Sequence, residues 1–240
     1  MKTPSLHSDA DIDAGSHCPE CWKSSELCLC DQITPMKSPI RILILQHPQE
    51  ARKPLGTARL LSLSALGAVH VVGHTWRSLG HALGAPKNTQ IPLKEWAVLY
   101  VGTRKQASPD AKPFELTNRS GEAIKPSTIK GLILLDGNWS QAKTLWWRNS
   151  WLLRHPRILL NPEQKSRYNK VRRQPRKNYL STIEAAALCI ENMAPKNPLP
   201  AKLRKTFEDF LVRSEPPVVP AFDAVQRIAR AKASESSPQV

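Results

Sequence analysis

Four cysteines within thirteen positions, Cys18, Cys21, Cys28 and Cys30, form the densest group of reactive side chains in the chain. Two short-spaced pairs separated by a turn-sized gap suit a tetrahedral thiolate site, because each pair can span one edge of the tetrahedron, and zinc is the ion this favours. Four protein ligands leave no open coordination position, so such a zinc has a structural role. Disulfides or idle thiols, and an iron–sulfur cluster, are the alternatives.

A second group is Asp136-Gly137-Asn138-Trp139, where the apolar run GLILL ends and SQAKTLWW begins. An acid there can accept hydrogen bonds or a proton, the glycine permits a tight turn or a close approach, and the tryptophan offers a stacking face. The plainer reading is a turn in which Asp or Asn caps the following helix and Trp fills core. His47-Pro48-Gln49-Glu50 is a parallel corner, followed by Arg52, Lys53, Gly56 and Thr57. Its His and Glu suit a small zwitterion or a proton transfer, against the alternative of a loop with surface charges. A third group is the acid-free basic stretch of Lys165, Arg167, Lys170, Arg172, Arg173, Arg176 and Lys177, interleaved with Tyr168 and Tyr179. Arginines among tyrosines suit phosphate neutralisation with base stacking, although a basic run is often only a solvated face.

These corners need a scaffold that presents strand ends. IRILILQ (40–46) is apolar on both faces, as in a central strand covered by helices on each side. Thr57 is placed to cap a helix through ARLLSLSAL to Gly67. AVHVV (68–72), EWAVLYVG (95–102), GLILLDG (131–137) and RILLNP (157–162) are further strands, and 103–127 is expected as a long loop. SQAKTLWWRNSWLL is helical, Ser181 and Glu184 form a capping box, and helices follow at about 201–213 and 222–232. Strands alternating with helices predict an α/β domain with a mainly parallel sheet flanked by helices. Ligands of such sheets sit beyond the carboxyl ends of the strands, where both corners lie.

The organisation expected is a disordered leader at 1–16, a small four-cysteine zinc module at 17–36, a main domain at 37–214 and a C-terminal helix with frayed tail at 215–240. At 240 residues the chain can bury a core without disulfides, and its net charge of +15 and pI near 9.9 favour polyanionic partners. The amino terminus has no apolar core and no greasy run is long enough to span a bilayer, so neither a membrane partner nor export is expected. Five cysteines, four of them clustered, fit a cytoplasmic location.

In order along the chain, CPECWKSSELCLC, HPQEARKPLGTARLL, LDGNWSQAK and RKNYLSTIEAAAL resemble the DTW-domain family of tRNA-uridine aminocarboxypropyltransferases, over about Cys18 to Leu188. The resemblance implies transfer of the 3-amino-3-carboxypropyl group of S-adenosylmethionine to N3 of a uridine in tRNA, with release of methylthioadenosine. It also implies a SPOUT-like, knotted α/β fold. Asp136 and Trp139 become the catalytic candidates. His47, Glu50, Arg52 and Thr57 on one corner, with Leu135 and Asn138 on the other, become those for the cofactor, and the basic stretch those for tRNA. The family pattern is Asp-x-Thr-Trp, and Asn138 stands where it has Thr; a second departure is Leu55-Gly56-Thr57, where many relatives carry Asn before the Thr. The same transfer or methylation on ribosomal RNA, and a non-catalytic zinc-containing RNA-binding protein, are the competing functions.

Overall fold

The computed structural model describes residues 17–99, 112–161, 166 and 180–214. The expected leader, the basic residues Lys165, Arg167, Lys170, Arg172, Arg173, Arg176 and Lys177, and the helix expected at 222–232 lie outside the described residues. After the cysteine loop come β1 (Met36–Lys37), β2 (Arg41–Gln46), α1 (Pro48–Ala51), α2 (Ala58–Ser64), β3 (Ala65–Leu66), β4 (Val69–Val72) and α3 (Leu79–Ala82). The chain continues through β5 (Trp96–Leu99), β6 (Phe114–Thr117), β7 (Gly131–Asp136), α4 (Trp139–Arg148), β8 (Arg157–Leu160), α5 (Thr182–Met193) and α6 (Leu199–Ser214).

Six strands form one sheet in the order β4-β2-β7-β5-β8-β6, parallel except for β6 at the edge. The two-residue side-chain period of β2 and β7 divides the core between the faces. Ile42, Ile44, Leu132 and Leu134 pack with α2, α5 and α6, whereas Leu43, Leu45, Ile133 and Leu135 pack with α4 through Leu145 and Trp146. A sheet buried on both faces explains why these strands are apolar at nearly every position.

Three local expectations change. The stretch 103–127 contains β6, which pairs antiparallel with β8; four residues set among Lys, Pro and Ser carry too little alternation to announce a strand. The helix expected to reach Gly67 ends at Ser64, because Ala65 and Leu66 pair with Met36 and Lys37, and Gly67 turns the chain at φ +80°. The helix expected through Leu153 stops at Arg148 and gives way to a 3-10 turn at Ser150–Arg154. Asn149 diverts it: its side-chain amide donates to the carbonyls of Leu145 (2.8 Å) and His74 (3.0 Å), and its oxygen accepts from Trp76 N–H (2.7 Å).

Candidate active site

Gln46 and Asp136 are the last residues of β2 and β7 and are register partners, so parallel pairing sets the two corners side by side. His47 N–H donates to the Asp136 carbonyl at 2.9 Å, extending that contact into the loop. Asp136 is only 4% exposed. Its Oδ2 accepts from Gln46 Nε2 at 2.8 Å, and its Oδ1 accepts from the hydroxyl of Thr182, the first residue of α5. Gln46 Oε1 in turn meets His70 Nε2 at 2.9 Å, so a polar chain runs from β4 through the sheet ends to α5. Burial, followed by the charge of Arg59, lowers the His70 pKa to about 4. The imidazole is therefore neutral, and it donates through Nε2.

Gly137 is required by a close approach: a Cβ there would stand 2.8 Å from Gln141 Cβ. Asn138 is the N-cap of α4 in a complete capping box, with Gln141 N–H donating to Asn138 Oδ1 (3.0 Å) and Asn138 N–H to Gln141 Oε1 (2.7 Å). Gln141 Nε2 also reaches Gln49 Oε1 at 3.2 Å, tying the start of α4 to α1. The plainer reading thus holds for Asn138, which caps, and Trp139 is half-buried at the first helical position. Leu135 is buried in the α4-side core.

On the β2 side, His47 is buried and caps α1, its Nδ1 accepting from Gln49 N–H at 3.3 Å, and its ring meets His74 edge-on at 4.7 Å. Burial, then the charges of His74 and Arg148, lower its pKa. Glu50 is buried and Arg52 exposed. Thr57 stands at the N-cap of α2 but its side chain does not cap that helix; its Oγ1 instead accepts from Ile183 N–H in the first turn of α5 at 3.4 Å. The amino end of α5 is closed by neighbours as well as by its own cap. Glu184 Oε2 accepts from Ser181 N–H (2.8 Å), Ser181 Oγ (2.6 Å) and Ser166 Oγ (2.7 Å). The first-turn N–H groups of α5 also find partners inside the protein, Ile183 N–H in Thr57 Oγ1 and Glu184 N–H in Ser181 Oγ, which leaves this helix end little free capacity for an anion.

The sulfurs of Cys18, Cys21, Cys28 and Cys30 lie within 4.8 Å of one another. Cys18 and Cys30 sulfurs are 3.7 Å apart, as are those of Cys21 and Cys28, and all are free thiols. Zinc–sulfur bonds of about 2.3 Å give tetrahedral edges of about 3.8 Å, so the four side chains fit one zinc ion, which they would hold as a closed structural site. No disulfide links them, and so close a group of sulfurs suits a single ion. A backbone hydrogen bond from Cys21 leads the causes that bring Cys18 down to about 7, while burial raises Cys21 and Cys30. Trp22 closes the knuckle at φ +56° and carries Arg59 over its ring, 3.7 Å from the centroid.

From this loop Lys23, 2% exposed, donates to the carbonyls of Pro54 and Gly56, each at 2.7 Å, and lies 4.5 Å from the Phe210 ring centroid. Burial lowers its pKa to about 8, opposed by the charges of Cys21 and Asp136. Lys23, Gln46, Glu50 and Arg59 line one cleft, so the cysteine loop and the 47–57 loop face each other across it. Sequence reasoning missed Gln46, His70, Thr182 and Lys23. Gln46 had one signal, being the polar residue that ends an apolar strand; Thr182 lay unnoticed inside a capping box.

The class defined here is an α/β domain built on a six-stranded, mostly parallel sheet whose central strand ends carry a buried carboxylate, with a four-thiolate loop packed beside it. The chain belongs to the DTW-domain family: the model of the DTW domain matches residues 15–214. It is 30% identical over 183 residues to tRNA-uridine aminocarboxypropyltransferase 2 of Macaca fascicularis, covering 75% of this chain and 57% of that protein. The Drosophila melanogaster protein of the same name is 31% identical over 175 residues, covering 72% of this chain and 64% of that one. tRNA-uridine aminocarboxypropyltransferase A of Arabidopsis thaliana is 24% identical over 194 residues, with 74% and 72% covered. The chain therefore spans somewhat over half the length of these animal relatives. No solved structure matches it.

Proposed function

We propose that the protein transfers the 3-amino-3-carboxypropyl group of S-adenosylmethionine to N3 of a uridine in tRNA, forming acp3U. The observation that carries the proposal is the buried Asp136, fixed by Gln46 and Thr182 at the corner that bears the family pattern. In the reaction a bond forms between N3 and the terminal methylene of the transferred group, and the bond from that carbon to sulfur breaks. Its electron pair returns to sulfur, which leaves as the neutral thioether methylthioadenosine, while the N3 proton is lost. The sulfonium already activates the carbon, so the protein must chiefly align the reactants and assist loss of that proton.

Asp136, with both oxygens accepting hydrogen bonds, serves as a fixed acceptor at the uracil edge. Half-buried Thr182 is the group through which it reaches the base, and Trp139 supplies a stacking face. Glu50 and Arg52 suit the amino and carboxylate groups of the methionine moiety, in a cofactor site shared by His47, Thr57, Leu135 and Asn138. The basic residues from Lys165 to Lys177 grip tRNA phosphates, zinc at the four cysteines holds the loop above the site, and the free thiols suit the cytosol. A knotted, SPOUT-related path belongs to this reading. Tracing it needs the connections from β5 to β6 and from β8 to α5, which fall largely outside the described residues.

Purified protein incubated with unmodified tRNA and S-adenosylmethionine should yield acp3U and one methylthioadenosine per modified nucleoside, measured by mass spectrometry. Asp136→Ala should bind tRNA and lose transfer. A methylated uridine, modification of ribosomal RNA alone, or no product would each overturn the proposal.

A further inference from the structure

We propose that the outer face of α4, centred on Trp147, is a surface on which an unpaired nucleobase of the tRNA stacks beside the Asp136 corner. This rests on the tRNA reading above. Gln141, Ala142, Leu145 and Trp146 turn one side of α4 into the core, which leaves Trp147 at the middle of the opposite side, 69% exposed. At helical spacing Lys143 lies one turn before it on the same face, and exposed Arg148 follows it. No Asp or Glu occurs from Gly137 to Pro162, so the charged residues that flank this aromatic along the chain are all cationic.

The face also leads to the site. The charge of Arg148 is among the causes that lower the pKa of His47, the residue whose N–H is bonded to the Asp136 carbonyl. Asn149 pins the His74 backbone against the end of α4, and exposed His74 meets the His47 ring. Trp139 and Trp147 are eight residues apart on one helix, a rise of about 12 Å.

A large apolar ring left in water among cations matches a strand that carries phosphates outside and flat bases inside. A second copy of the chain fits worse, because a twofold contact centred on Trp147 would bring the two copies of Lys143 and Arg148 together, and segment 137–162 has no acid to pair with them.

The test uses the full chain, unmodified tRNA and S-adenosylmethionine, with Trp147→Ala and Trp147→Phe. Trp147→Ala should weaken tRNA affinity about tenfold and raise KM for tRNA by a similar factor, with KM for S-adenosylmethionine and the thermal midpoint unchanged. Trp147→Phe should restore most of the loss. Wild-type tRNA affinity in Trp147→Ala overturns the proposal. So does a drop of several degrees in its melting temperature, which would mean that the chain itself covers the ring, or conversion of a wild-type dimer to monomer. If the wild-type protein transfers nothing but Trp147→Ala still loses tRNA affinity, the surface stands and the proposed reaction falls.

Discussion

Asp136 organises its neighbours because a carboxylate can only accept. Gln46 must turn its amide nitrogen towards it, which leaves the amide oxygen for His70, and His70 must present an N–H there. That chain of constraints agrees with a His70 pKa lowered to about 4 by burial and, second, by Arg59. The unfolded value is near 6.5, so folding favours the neutral ring. Its contribution is fully present above pH 6.5 and is lost as pH falls from 6.5 towards 4, by about 3 kcal/mol at most. His70→Gln keeps an N–H donor near the same place and does not titrate. Thermal midpoints measured from pH 7.5 to 4.5 should fall more steeply for the wild type than for this variant. The variant's curve should still slope, since burial lowers the pKa of His47 and His155 as well. Parallel curves would show that His70 is not held neutral by the fold.

Among the elements, the cysteine loop is tied to three other parts of the domain. Lys23 holds the carbonyls of the 47–57 loop, Arg59 of α2 donates to the Glu20 carbonyl at 3.0 Å, and Arg213 of α6 donates to the Cys28 carbonyl. Cys21 and Leu29 belong to the same apolar cluster as α2, α5 and α6. Cys28→Ser should therefore lower zinc content and the thermal midpoint together; a full equivalent of zinc at unchanged stability would refute the structural metal site. The cysteine quartet, the two central strands and the capping box of Ser181 and Glu184 were legible in the sequence, because each is set by spacing or period within a few residues; of the box of Asn138 and Gln141 only a possible cap was legible. Of the two readings of Asn138, the structure shows the cap of α4, a task a Thr can also perform though Asn is the stronger N-cap. What was illegible is non-local. Lys23 lies more than thirty residues from the carbonyls it holds, and Thr182 is 46 residues from Asp136, so no local pattern links either pair. β6 exists because β8 offers it a partner, and α2 is shortened because β1 recruits its last turn.

At the scale of the whole molecule, a net charge of +15 must act at long range, and the site that would use it sits at the strand ends. With the first-turn N–H groups of α5 bonded to Thr57 and Ser181, the proposed phosphate contacts fall to side-chain cations, and the acid-free segments 137–162 and 165–179 hold many of them. Such binding releases counterions, so affinity for tRNA should fall steeply with salt, by about 0.7–0.9 in log–log slope for each phosphate neutralised. Replacing Arg172 and Arg173 together with Gln should weaken tRNA binding at low salt and flatten that slope by about 1.5, while S-adenosylmethionine affinity stays at the wild-type value. Trp147→Ala should behave differently, losing affinity by the same factor at every salt concentration, because stacking releases few ions. Fluorescence anisotropy across a salt series measures both variants in one experiment. An unchanged slope in the double-Gln variant would mean that its arginines face solvent, and the steering charge would then lie on the face of α4.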